Sequence, residues 1–147
     1  MTETAPERLS LVVFSGDYDR VHYALAMAAA AAATGRPVTM LFTMGAIHAL
    51  RAEQANGVPG WAALKPAAGG DEAAMRDARH AEDGLATLEE LFYACKTFDV
   101  AVRICEMGMT AERLTPADLR GDLEIASGGL VGFLAESEKD SGRIVFI

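Results

Sequence analysis

Five short apolar runs, each closed by glycine or polar residues, alternate with longer stretches of helical character. This alternation constrains the fold more than any other feature of the chain. The runs cover residues 9–14, 37–43, 100–104, 123–126 and 143–147. The first is nearly continuous in apolar character, as expected of a strand covered on both faces. Between them the pattern predicts helices over 18–34, 46–54, 85–98 and 130–138, with a helical turn at Thr115-Pro116. Asp17 is placed to cap the first helix and Gly35 to stop it. Leu85, Leu88, Leu91, Phe92 and Cys95 share one face of the third. Strands joined through helices imply right-handed crossovers and a parallel sheet with helices on both faces.

The 147 residues suffice for one domain with a hydrophobic core. No internal repeat or linker marks a second, so residues 1–147 read as a single domain. Residues 56–84 form a long connection holding Pro59, Trp61, Pro66 and Gly69-Gly70, part of which, 71–81, has helical character. A connection of that length reads as a flap or a functional segment.

A net charge of −8 and the absence of any Lys/Arg cluster argue against nucleic acid and against an anionic membrane as partners. The polar, acidic N-terminus lacks the charged and apolar regions of a signal peptide, and the longest apolar stretch is too short for a membrane span. A cytoplasmic location is expected. Two cysteines are too few for a disulfide-stapled scaffold.

In a parallel sheet the strand ends converge on one edge, where ligands bind. They bring together Ser15, Gly16 and Asp17; Thr43, Met44 and Gly45; Cys105, Glu106 and Met107; and Ser127, Gly128 and Gly129. Cys105 is the one thiol at this edge. It reads either as a nucleophile or as a buried strand-end residue, cysteine being among the most buried residue types. Cys95, on the apolar helix face, reads as core or as a resolving thiol, and its helix enters from the opposite edge. His22 overlooks the crevice if its helix starts there, as a proton donor or an unremarkable histidine. His48 is a similar case, and His80 is expected in solvent. No metal-ligand spacing, phosphate loop, dinucleotide fingerprint or nucleophile elbow is present, so no cofactor or metal is called for.

The opening Leu-Ser-Leu-Val-Val-Phe-Ser-Gly-Asp, the alanine-rich helix, the Val-Thr-Met-Leu-Phe-Thr strand and the run Ile104-Cys105-Glu106-Met107-Gly108-Met109 resemble the DsrE/DsrF-like family. They look closest to the branch that reads C-x-M-[SG]-M after the third strand, often labelled peroxiredoxin-like. The segment from Leu123-Glu124-Ile125 through Phe133-Leu134 is similar to the family's glycine-containing helix start. The resemblance covers nearly the whole chain. It implies a flavodoxin-like three-layer α/β/α sandwich with a mainly parallel five-stranded sheet, assembling as a homotrimer or hexamer. It also implies sulfur relay: Cys105 would carry sulfane sulfur as a persulfide from a donor protein to an acceptor thiol. The alternative is a non-catalytic module that binds a small ligand or a protein, with Cys105 structural. Two features depart from the family. The chain lacks the membrane segments of some relatives, and residues 56–84 stand where a shorter or more basic stretch is expected. The peroxidase motif P-x-x-x-[TS]-x-x-C does not precede Cys105.

Overall fold

The computed structural model of the chain describes residues 6–147. Residues 1–5 of the polar N-terminus read above lie outside the described residues. Five strands form one sheet: β1 (Leu9–Val13), β2 (Val38–Phe42), β3 (Ala101–Cys105), β4 (Ile125–Gly128) and β5 (Arg143–Phe146). Every pairing is parallel and the order is β4-β3-β2-β1-β5. The helices are α1 (Tyr18–Ala33), α2 (Ala73–Glu82), α3 (Leu88–Thr97), α4 (Glu106–Ala111) and α5 (Leu130–Ser137).

The expected α/β sandwich with a parallel five-stranded sheet is therefore present. The strand order differs from the 2-1-3-4-5 of flavodoxin, so the likeness to that fold lies in its layers and not in its connections.

This order decides which helix lies where. From β1 to β4 each connection steps one strand in the same direction. Right-handed crossovers then put α1, α3 and α4 on one face. The step from β4 back past β1 to β5 runs in the opposite direction, so α5 falls on the other face. The cores match this division. Leu11, Val13, Met40, Phe42, Val102 and Ile104 point into the large cluster with α1 and α3. The alternate residues Val12, Leu41 and Cys105 point the other way and meet Phe133 of α5 in a small separate cluster. Helix α1 buries seven residues and α5 only two, Phe133 and Ser137. Phe133 is the one large side chain that anchors α5, worth roughly 2–3 kcal/mol of burial.

Several boundaries differ from the sequence reading, each for a local reason. Helix α3 begins at Leu88 because the Thr87 hydroxyl accepts the Glu90 N–H, a cap hidden inside an apolar pattern. Residues 44–50 form a 3-10 helix, shorter than the expected 46–54. Glu106 and Met107, expected in a loop, open α4. Ser127 and Gly128, also expected in a loop, belong to β4, where they pair with Ile104 and Cys105. Asp17 is the N-cap residue of α1 with no side-chain cap bond, while Gly35 closes that helix at φ +88°. No helix of the described residues is long and apolar enough to cross a membrane.

Candidate functional site

The sheet has one topological switch point at its carboxyl edge. After β3 the chain turns to α4 on one face, and after β4 it turns to α5 on the other. Crevices in open α/β sheets lie where neighbouring connections part in this way. Cys105 ends β3 at that point, and Gly128 of β4 stands opposite it in the ladder. The strand's alternation turns Cys105 toward α5, where it packs with Val12, Leu41 and Phe133. It is only 4% exposed. The rim of the site is polar and open: the Ser127 hydroxyl donates to Glu106 Oε1 at 3.0 Å, and Met107 is 57% exposed. Gly129 precedes α5 as its N-cap residue.

The loops after β1 and β2 belong to a different part of the edge. Gly16 and Gly45 touch backbone to backbone; a Cβ on Gly16 would lie 3.1 Å from the Gly45 carbonyl. The N–H groups of Phe14 and Ser15 both donate to the Ile147 carbonyl. Gly16 and Tyr18 exchange backbone hydrogen bonds with Lys65, so the long connection lies across the end of β1. Asp17 bridges to Lys65 there, and its N–H donates to the Ser15 hydroxyl. Thr43 is buried, and Met44 takes the left-handed conformation at φ 47° to turn the chain into its 3-10 helix. None of the hydrogen bonds of these residues reaches Cys105. Of the expected site residues, the structure gathers Cys105, Glu106, Met107, Ser127, Gly128 and Gly129 at the switch point. Ser15, Gly16, Asp17, Thr43, Met44 and Gly45 form the neighbouring, closed stretch of edge.

His22 is not part of either group. It lies on α1, on the large-core face, with its Nε2 2.8 Å from the Ala86 carbonyl. Its ring is 4.6 Å, centre to centre, from that of His80, which is half-buried and not in solvent as expected. Burial, His22 and Arg76 together hold the His80 imidazole below its ordinary pKa. The Tyr18 hydroxyl donates to Asp77 Oδ1 at 2.5 Å, and the Leu88 N–H donates to the same oxygen. Burial and this carboxylate push the Tyr18 phenol well above its ordinary range. Trp61 donates to Glu89 Oε1 at 3.0 Å. These contacts dock the 56–84 connection onto α1 and α3, and spacing alone carried no signal for them.

Cys95 sits in the large core on the opposite face of the sheet from Cys105. The two thiols are free and separated by the sheet, so a disulfide between them is excluded without rearrangement. The Cys95 Sγ donates to the Leu25 carbonyl at 3.6 Å, and burial pushes its pKa up to about 12. It is a core residue.

Sequence reasoning missed two charged groupings. His48 Nε2 lies 3.5 Å from Glu112 Oε1, joining the 3-10 helix after β2 to the end of α4. Glu136 of α5 pairs with Arg103 of β3 and lies 3.6 Å from Arg8. A charged residue inside a strand was the available signal for the second, since Arg103 points with Cys105 to the α5 face. Among the described residues, no group of three or more His, Cys, Asp or Glu is placed to hold a metal.

Two open clefts lie elsewhere. One, of about 530 Å³, runs along the entry to β3 between Cys95, Asp99, Arg103 and Glu124. The other, of about 600 Å³, lies between Arg51, Glu53, Arg120 and Asp122. Neither is lined by Cys105.

No family model matches the chain, and no curated protein sequence matches it. Among solved structures, it is similar to the protein of unknown function MTH1491 from Methanobacterium thermoautotrophicum, with a TM-score of 0.54 at 10% identity. The match covers 96% of this chain and 99% of that one. The likeness is one of fold.

Proposed function

We propose that the chain is a sulfur-relay protein of the DsrE/DsrF-like kind, carrying sulfane sulfur on Cys105. The observation that carries this reading is the position of Cys105: a single thiol at the carboxyl end of β3, at the switch point, opposite Gly128. In the relay the Cys105 thiolate attacks the outer sulfur of a donor persulfide. The donor's S–S bond breaks and the donor leaves as a thiolate, so Cys105 becomes a persulfide. An acceptor thiolate then attacks that outer sulfur and Cys105 leaves as a thiolate, with no net oxidation in either step. Glu106 and Ser127 form the polar rim that a partner protein would meet, and Met107 offers a soft, apolar contact.

The test is incubation of the folded protein with a sulfane-sulfur donor, followed by intact mass. Wild type and Cys95→Ser gain one sulfur atom, and Cys105→Ser gains none. Equal uptake by Cys105→Ser sinks the relay.

The 4% exposure of Cys105 favours a second reading, a binding module in which this thiol is structural. That reading predicts that neither cysteine reacts with a thiol reagent while the protein stays folded.

We further propose that the chain assembles with copies of itself through the open edge of strand β5. Ile144 and Phe146 of edge strand β5 are exposed, Phe146 by 69%. The rings of Phe14 and Phe146 lie 5.5 Å apart. Apolar surface of this kind marks interaction sites. Light scattering of wild type and Phe146→Asp decides: a monomer in both removes the proposal.

A further inference from the structure

We propose that α5 is a hinged lid over Cys105, latched by Glu136. The inference rests on the relay reading only for its purpose; the movement itself is tested separately.

Helix α5 is weakly seated. It follows Gly128-Gly129, contains Gly132, and contributes a single large buried side chain, Phe133, which lies directly in the small cluster with Cys105. Its Leu130, Val131 and Leu134 are exposed. Segments with few buried apolar contacts open at low free-energy cost while the rest of the fold stays closed. Charge holds the lid shut: Glu136 pairs with Arg103 on the strand that carries Cys105, and with Arg8 at 3.6 Å.

The segment after α5 is strained. Asp140 and Ser141 both adopt the left-handed conformation, at φ 58° and 55°, a state that non-glycine residues resist. Arg8 holds Asp140 in place, by its guanidinium at 3.3 Å from Oδ2 and by its N–H to the Asp140 carbonyl at 3.4 Å. Arg8 therefore ties down both the lid and its hinge. Arg8, held between Glu136 of α5 and Asp140, keeps its buried Nε without a partner. Opening would admit water to that nitrogen and relieve the hinge, which favours the open state. The latch and the Phe133 seat oppose it.

Labelling of the two cysteines in the folded protein by an alkylating reagent, read by peptide mass, tests the lid. Glu136→Gln removes the charge that binds both arginines and raises the rate at Cys105 by roughly tenfold, with Cys95 unlabelled. Ser141→Gly relaxes the hinge in the closed state and slows labelling of Cys105 below wild type. A wild-type rate in Glu136→Gln overturns the lid, as does labelling of Cys95 in step with Cys105, which would report global unfolding. If Glu136→Gln does not fold, Ser141→Gly decides alone, and a rate at or above wild type overturns the proposal. A labelling rate that follows these variants in a protein that takes up no sulfane sulfur leaves the lid standing and removes the relay.

Discussion

Gly108 of α4 lies flat against Met44: a Cβ on Gly108 would fall 2.6 Å from the Met44 nitrogen and 2.9 Å from the Thr43 hydroxyl oxygen. This contact sets how closely α4, and with it the end of β3, approaches the turn after β2. Gly108→Ala is expected to lower stability by about 1–3 kcal/mol, because the backbone on the other side cannot yield without moving the strand end. Gly121→Ala, where a Cβ meets nothing within 4 Å, serves as the comparison. Denaturant midpoints of the two variants check this; equal midpoints remove the packing argument.

Tyr18 and Asp77 join the long connection to α1 through a partly buried 2.5 Å hydrogen bond. Tyr18→Phe leaves the Asp77 carboxylate with one fewer donor and is expected to cost about 1–3 kcal/mol. Trp61, the chain's single tryptophan, packs 6.1 Å from the Tyr18 ring, so its emission reports whether the connection stays docked. An unchanged midpoint with unchanged emission would show that this bond contributes nothing net.

His80 gives the fold a dependence on acid. Its imidazole is held below its ordinary pKa by burial, then by His22 and Arg76, with Asp77 and Asp19 opposing. A histidine whose folded pKa is depressed takes up its proton more readily in the unfolded chain. Its contribution is therefore fully present above the ordinary value and is lost as pH falls. Stability should decline as pH falls below the ordinary imidazole value of about 6.5, and His80→Gln should flatten that decline. Parallel pH profiles for the two proteins would contradict this.

Cys95 works at the other end of the scale. Its folded pKa, near 12, lies above that of an unfolded thiol. The buried thiol thus contributes stability that is present below about pH 8.5 and is lost as pH rises toward the folded value. Cys95→Ala is expected to cost about 1–2 kcal/mol at neutral pH by leaving a small cavity in the large core. Its melting temperature should also fall less than that of wild type between neutral and alkaline pH.

What the sequence disclosed followed from periodicity. Val12 and Val13 in a continuous apolar run announced a strand covered on both faces, and the small and large cores confirm that. Cys105 at a strand end was legible because the apolar run stops there. Its burial was not, because it depends on α5 lying on the second face, which in turn depends on the strand order. His22 shows the same gap. Position in the helix placed it near the edge, but rotation about the helix axis turned it toward His80 and Ala86. Gly128 misled for the opposite reason: glycine signals a turn, yet here it continues the β4 ladder beside Cys105.

The sheet order also sets a sequence of events for a growing chain. Strands β1 to β4 can add side by side in the order of their synthesis, each pairing with its predecessor. Strand β5 must instead return to β1, pairing Arg143 with Leu9 across almost the whole chain. That contact carries the largest loop-closure entropy in the sheet, so its formation is expected to come last and to limit the folding rate. Until then β1, a central strand in the finished sheet, presents an open hydrogen-bonding edge. A nascent chain is thus most prone to pair wrongly along β1, and holding that edge through late synthesis is where a chaperone would act on this fold.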